Sequence, residues 1–406
     1  MEKWKRRSLS RVRQIAGGAG ALMATAFAWL RLERTARAAP RLAAGPVTSS
    51  VFAEAQPQIA VVVPARNEAE HLARCVWSLA LQTLTPRAIW VVDDHSTDDT
   101  GIIAQRLAHD LHALYLLPSA PRPAGWAGKN WALHQGMRAA LADEGIAWLL
   151  LTDADTWHAP SLLARAWQLA RETGADVLSI LPHVEERDMG AVLLRAGVGE
   201  FYSFFYGAQD GSGTARRQTP LVMAAGQFIL ARAEVCRALR CLDRDELRGA
   251  LDDDRAFILA AQRAGFRAAV AQAPQLLTTR GYPSLRAAWH GHAHHLAGAL
   301  RSPGAVVRAL AATVALHSVT LPTLFGLARA CWLGMRGGWR AQALPLARWS
   351  AQWLAMSALR LRAATLADLP RWYPLAAPLG ALFASALALR LLGQRGTVVW
   401  KGRRYR

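Results

Sequence analysis

At 406 residues the chain is long enough for two domains, or for one domain of about 250 residues with additions at its ends. Its net charge of +19 sits in the flanks: residues 1–45 carry ten Lys/Arg against two acids and residues 301–406 carry fifteen against one, whereas the centre is slightly acidic. Those flanks also hold the apolar runs, so the charge reads as positive ends of membrane-associated segments on the cytoplasmic side and argues against nucleic acid as a partner.

The first apolar run, Ile15 to Leu30, is 16 residues without a charge between basic flanks, short for a span. Its readings are a thin transmembrane helix, an interfacial helix, or the apolar part of an export signal, with Arg6–Arg7 and the small residues around Ala38 hinting at the last. Export ranks last, because the chemistry argued below needs a cytoplasmic donor. From Ile59 the pattern becomes α/β. The run IAVVVPA is apolar and β-branched, as expected of a parallel strand covered on both faces and ended by Pro64. A helix follows (EAEHLARCVWSLALQT), then the strand AIWVVDDHS, a helix through Ala108, a short strand at LHALYLL, a helix from about Asn130 to Ala142 and the strand IAWLLLTDAD. This alternation predicts a doubly wound sheet, in which ligands sit at the carboxyl ends of the strands. Asp93, Asp94, Asp153 and Asp155 all fall at such ends.

After Gln275 the signals change. SLRAAWHGHAHHLAGAL is predicted helical, and residues 304–333 and 372–393 are long and apolar enough to span a bilayer. Between them LARWSAQWLAMSALRL, with Arg348 and Arg360 and several Trp, reads as a helix lying in the interface. The expected organisation is thus a membrane segment at 1–45, a catalytic domain at 56–300 and membrane-associated helices at 301–406. Cys75, Cys236, Cys241 and Cys331 show no CxxC and no zinc spacing, and read as reduced thiols.

The chemistry lies in the carboxylates. In LLLTDADTWHAP, Asp153 and Asp155 offer hard oxygen ligands to a divalent cation, Mn²⁺ or Mg²⁺. Asp252 to Asp254 precede an amphipathic helix; Asp252 reads as its cap, but a cap does not need three aspartates. A metal-bridged diphosphate leaving group with a separate carboxylate base is a complete kit for moving a group from a nucleotide sugar. Lys129 reads equally as a cation that stabilises the departing diphosphate and as a solvated lysine, and a basicity raised by Asp252 and Asp253 would help Asp254 accept a proton.

Taken in order, VVVPARNEAEHL, VVDDHSTDDT, GWAGKNWALHQG, LLTDAD and LDDDRAFILAAQRAGFR resemble the landmarks of family 2 glycosyltransferases, most closely the membrane-bound, nonprocessive members associated with hopanoid and carotenoid biosynthesis. The resemblance covers about Ile59 to Leu300 and implies a nucleotide-sugar-binding α/β fold of the GT-A type. It also implies roles. Pro64, Ala65, Arg66 and Glu68 would line the nucleotide, with Glu68 near the ribose, and Asp94 would bind the uracil edge. Asp155 would ligate the metal, Asp153 would contact ribose or metal, and Asp253 and Asp254 would match the family's Glu-Asp pair, with Asp254 the base. Asp253 stands where the family has Glu, a departure by one methylene in the pair. The Q-x-x-R-W motif of processive synthases is absent after Asp254, which argues against chain elongation.

The implied function is inverting transfer of a sugar from a nucleotide diphosphate to a hopanoid- or carotenoid-like lipid alcohol at the cell inner membrane, with the catalytic domain cytoplasmic. The alternatives are a polyprenyl-phosphate sugar transferase and a noncatalytic membrane scaffold. Three further features carry less. GWAGK lacks the spacing of a Walker phosphate loop, His290 and His294 share a helical face without a third ligand, and FYSFFYG reads first as core and second as an acceptor contact.

Overall fold

The structure is a computed structural model and describes residues 39–43, 56–206, 224–299, 323–366, 368–393, 398–400 and 403–405. Strand β1 (Ile59–Ala65) sets the layering. Ile59, Val61, Val63 and Ala65 pack into the apolar cluster on one face of the sheet, and Ala60 and Val62 into the cluster on the other. Period-two alternation in a run that is apolar throughout places the strand in the middle of a covered sheet. The strand continues through Pro64, which was expected to end it, and Ala65 still pairs with Asp93.

β2 (Ala88–Asp93) and β3 (Leu114–Pro118) add in parallel on one side of β1, and β4 (Trp148–Leu151) adds in parallel on the other. Chain order therefore reverses between β1 and β4, which creates a switch point at their carboxyl ends. Helices α1 (Leu72–Ala80) and α2 (Thr100–Asp110) cover one face through Cys75, Leu79, Ala104 and Leu107. Helix α3 (Gly128–Ala140) covers the opposite face through Ala132, Leu133 and Met137. It starts two residues earlier than expected, so Lys129 lies in its first turn. Gly136 lets α3 lie close: a Cβ there would come within 2.4 Å of Val62 Cγ1. A larger residue would lift the helix, and Lys129 with it, off the sheet.

Beyond β4 the chain adds β5 (Thr156–His158), α4 (Leu162–Thr173), β6 (Val177–Leu181), β7 (His183–Glu185) and α5 (Met189–Tyr206). There follow β8 (Ile229–Arg232), α6 (Ala233–Ala238), α7 (Asp245–Arg248), α8 (Asp253–Arg263), β9 (Ala268–Gln272) and β10 (Leu277–Arg280). The main sheet has seven strands in the order β3-β2-β1-β4-β8-β6-β9, and a small sheet runs β5-β10-β7. The sheet corrects the doubly wound expectation at one place: β8 runs antiparallel to both β4 and β6. Its amino end consequently lies beside the carboxyl ends of β1 and β4, and the turn before β8 reaches the switch point.

By contact density the chain divides into two units. Arg37–Glu186 with Gln209–Gly281 contains the sheets, and Arg187–Ala208 with Tyr282–Arg406 contains the described helices α5, α9 (Leu285–Ala299), a helix over 323–337 (α10), α11 (Trp339–Leu366) and α12 (Tyr373–Gly393). Within the helical unit Ala191, Leu194, Ala288, Leu296, Ala384 and Leu387 share one apolar cluster. This grouping puts α5 and α9 in the unit that holds the C-terminal helices. Among the described residues one helix, Tyr373–Leu391, is long and apolar enough to cross a membrane, and half of it is buried within the protein. Residues 15–30 and 304–322 lie outside the described residues, and the remainder of the expected 304–333 segment lies in α10.

Candidate active site

Four of the expected side chains meet at the switch point. Lys129 Nζ lies 2.8 Å from Asp153 Oδ1, just beyond β4, and 3.2 Å from Asp253 Oδ2, in the first turn of α8. Asp254 completes the group. Its Oδ2 accepts the Gly226 amide (2.9 Å) and its Oδ1 the Arg255 amide (2.7 Å). All of these line one cleft, whose floor is apolar and includes Leu151, Ile229 and Phe257. A Cβ on Gly226 would stand 2.9 Å from Lys129 Nζ and crowd the ammonium where it meets its carboxylates.

The electrostatics follow from crowding four charges in a half-buried cleft. Burial works against the Lys129 charge, but Asp153 and Asp253 outweigh it and hold the ammonium above its usual range. Burial pushes Asp253 up to about 6 against the pull of Lys129. Asp252 is pushed further, to about 8, by burial and by Asp254. The sequence reading gave Asp252 the part of a helix cap. It does occupy the N-cap position of α8, but its side chain makes no capping hydrogen bond; it stands next to Asp254 and 3.9 Å from Arg255 Nη1. Burial and Asp254 thus favour the protonated form of the Asp252 carboxyl beside the expected base.

What aligns the two halves of the cleft is Asn130, which sequence reading passed over. It is 1% exposed, and its Nδ2 donates to the carbonyls of Leu247 (2.7 Å), Arg248 (3.4 Å) and Ala250 (3.0 Å), while the Ala127 amide donates to Arg248 O (2.7 Å). The loop leading to Asp253 is thus tied to the helix turn that carries Lys129. The only local signal was an amide side chain beside Lys129 at a helix start.

The remaining expected residues form a second group at the ends of β1 and β2. Asp94 is buried, its amide donates to Ala65 O (2.8 Å), and Arg66 Nη1 donates to its carbonyl (2.8 Å) and stands 3.8 Å from its Oδ2. The Glu68 amide donates to Thr100 Oγ1 (2.8 Å), and its carbonyl accepts the amides of His71 and Leu72 at the start of α1. Pro64 faces Val92 in the strand register. Asp93, also singled out at a strand end, closes its own turn by accepting the Ser96 amide (3.1 Å). Asp155 does not line the cleft with Asp153; its carbonyl accepts the Arg280 amide (3.1 Å).

Metal binding can be tested against the donor set. Among the described residues no three His, Cys, Asp or Glu side chains gather for an ion. Of the strand-end pair only Asp153 lines the cleft, with Asp155 two residues on in the same turn, which suits Mg²⁺ or Mn²⁺ as ions commonly held by one or two carboxylates and completed by substrate phosphates and water. The residues fit an ion that arrives with a diphosphate and do not form an all-protein cage. Elsewhere, Cys75, Cys236 and Cys241 are buried free thiols, as expected, and Cys331 is exposed. His290 is exposed on α9.

Residues 60–237 match the family model described as glycosyl transferase family 2, a match that ends before Asp253 and Asp254. A curated relative, the 4,4'-diaponeurosporenoate glycosyltransferase of Staphylococcus haemolyticus (strain JCSC1435), is 29% identical over 134 residues, which is 32% of this chain and 33% of that protein. The chain thus spans about a third of that relative's length. Similar solved structures include a mannosyltransferase from Pyrobaculum calidifontis in complex with GDP-Man and Mn²⁺ (20% identity, 84% of this chain and 96% of that one, TM-score 0.44). Another is glucosyl-3-phosphoglycerate synthase from Mycobacterium tuberculosis with Mn²⁺, UDP and glucosyl-3-phosphoglycerate (18% identity, 64% and 87%, TM-score 0.39). β1 to β4, Lys129, Asp153 and the Gly226 turn all lie inside the stretch, residues 60–237, that matches the glycosyl transferase family 2 model.

Proposed function

We propose that this chain is a membrane-associated, inverting glycosyltransferase of the GT-A type that moves one sugar from a nucleotide diphosphate donor to a lipid alcohol of the hopanoid or carotenoid kind. The observation that carries the reading is the convergence of Lys129, Asp153, Asp253 and Asp254, from three separate stretches of sequence, at the switch point of the sheet. The relative that acts on diaponeurosporenoate supports an apolar acceptor. The Tyr373–Leu391 helix and the basic flanks support the membrane, with the sheet unit facing the cytosol, where nucleotide sugars are made.

In this reading Arg66, Glu68 and Asp94, with the backbone of Pro64 and Ala65, hold the nucleoside. Asp155 and Asp153 would hold Mn²⁺ or Mg²⁺, which supplies positive charge to the diphosphate as it leaves. Lys129 adds a fixed cation on the same side. Asp254 takes the proton from the acceptor hydroxyl as its oxygen bonds to the anomeric carbon. The bond from that carbon to the diphosphate breaks, and the nucleoside diphosphate leaves with the electron pair. Two backbone amides fix the Asp254 carboxylate and leave each oxygen a further lone pair for that proton.

The test is a panel of nucleotide sugars offered to detergent-solubilised protein with Mn²⁺ and a lipid alcohol or a polyprenyl phosphate, reading released nucleoside diphosphate and the anomeric configuration of the product. One donor turned over on the alcohol with inversion is expected. Turnover on the phosphate alone, or no turnover with any donor, would refute the reading.

A further inference from the structure

The cleft rests on a buried polar line that the reaction itself does not use. Thr152, 1% exposed, follows β4 directly and precedes Asp153. Its hydroxyl donates to Gln227 O (2.7 Å) and lies 3.1 Å from His158 Nε2. Gln227 follows Gly226, whose amide holds Asp254. Thr156 donates its hydroxyl to Asp153 O (2.7 Å), inside the turn that carries both aspartates. On the far side His158 Nδ1 lies 3.1 Å from Ser78 Oγ in α1, and the His158 amide donates to the same oxygen (3.1 Å).

His158 is 5% exposed, and burial pushes its pKa down to about 3, so the ring carries one N–H. Thr152 and Ser78 each direct their one hydroxyl hydrogen to a backbone carbonyl, Gln227 O and Cys75 O (2.7 Å each), so the ring N–H is free to donate to the Thr152 hydroxyl through Nε2 or to the Ser78 hydroxyl through Nδ1. The imidazole joins α1 to the turn before β8 through one threonine, and Thr152, Thr156 and His158 are buried, where such bonds are hardest to replace.

We propose that His158 is a positioning residue: by holding the Thr152 hydroxyl it keeps two turns in one register, the turn bearing Asp153 and Asp155 and the turn bearing Gly226. The inference rests on the reading of this cleft as a donor site. His158 touches no substrate; it acts on where the carboxylates stand. Phenylalanine would fill the space of the ring and leave Thr152 and Ser78 without their partner. Glutamine places an amide N–H near the ε position, whereas asparagine is too short to do so.

The experiment uses the full-length protein in detergent, titrated with UDP and with GDP, each with and without Mn²⁺, alongside kcat and KM on the donor found active. His158→Phe and Thr152→Val should each weaken Mn²⁺-dependent nucleoside diphosphate binding about 10–100-fold, the usual effect of losing an outer-shell partner. The double variant should be no worse than either single change, since both cut the same line. His158→Gln should restore binding to within about threefold and His158→Asn should not, a pattern that lost packing alone would not produce. If His158→Phe fails to fold, Thr152→Ser against Thr152→Val carries the same comparison, with binding retained only by the hydroxyl. Folded His158→Phe or Thr152→Val with parental binding and KM, or additive losses in the double variant, would overturn the proposal. A parent that binds neither nucleotide, with or without Mn²⁺, would instead bring down the donor-site reading on which it stands.

Discussion

Replacing Asp254 with Asn separates base catalysis from architecture, and the structure sets the size of each effect. The parent carboxylate accepts two backbone amides, from Gly226 at 2.9 Å and Arg255 at 2.7 Å. Asparagine has one oxygen, so one amide must face its NH₂ group, donor against donor. Losing one hydrogen bond to a charged group costs about 1.5–3 kcal/mol, and that loss should appear as a lower Tm. Removal of the proton acceptor should appear separately, as a fall in kcat of about 10² to 10⁴ on a lipid alcohol. Donor affinity should stay near parental, because Lys129 and Asp153 keep their mutual contact at 2.8 Å. Measured by nucleoside diphosphate release under saturating donor, a folded Asp254→Asn protein that turns over the alcohol at the parental rate would remove the base from this position. A rate that falls only with donor affinity would show that Asp254 organises the cleft without taking the proton.

The neighbouring positions give three further expectations. Asp252→Asn copies the protonated carboxyl that burial and Asp254 favour, so activity at pH 7 should change little. The folded pKa of Asp252 is raised to about 8, so its favourable contribution is complete below the unfolded value of about 4 and is lost as pH climbs through 8; chemical unfolding should show Asp252→Asn gaining stability over the parent across that window. Lys129→Met leaves Asp153 and Asp253 facing one another without their cation. A cost of about 1–3 kcal/mol in urea unfolding is expected, below that of a fully buried pair because the Lys129 side chain keeps 35% of its exposure, and nucleoside diphosphate binding should weaken as well. Asp155→Ala should abolish Mn²⁺-dependent nucleotide-sugar binding by calorimetry and leave the circular dichroism spectrum unchanged; undiminished binding would exclude Asp155 as a metal ligand.

Much of this protein was readable from local pattern alone. A run such as IAVVVPA is short, β-branched and without a polar side for water, which points to a strand covered on both faces, and its alternate residues do pack into opposite clusters. Alternating helix and strand periods then put Asp94 and Asp153 at one edge of a sheet, and the motif order pointed to the family that residues 60–237 match. Tertiary structure decided what depends on contacts between distant segments. The antiparallel course of β8 brings the Gly226 amide to Asp254, 28 residues away. Asn130 reaches carbonyls 117 to 120 residues further along the chain, and a lone Asn carries no sign of that role until the loop folds onto it. Asp252 looked like a cap because an acid before a helix usually is one; burial beside Asp254 made protonation cheaper than a second charge. Local propensity follows from each residue and its near neighbours, whereas desolvation and charge coupling arise only after distant parts of the chain have excluded water together.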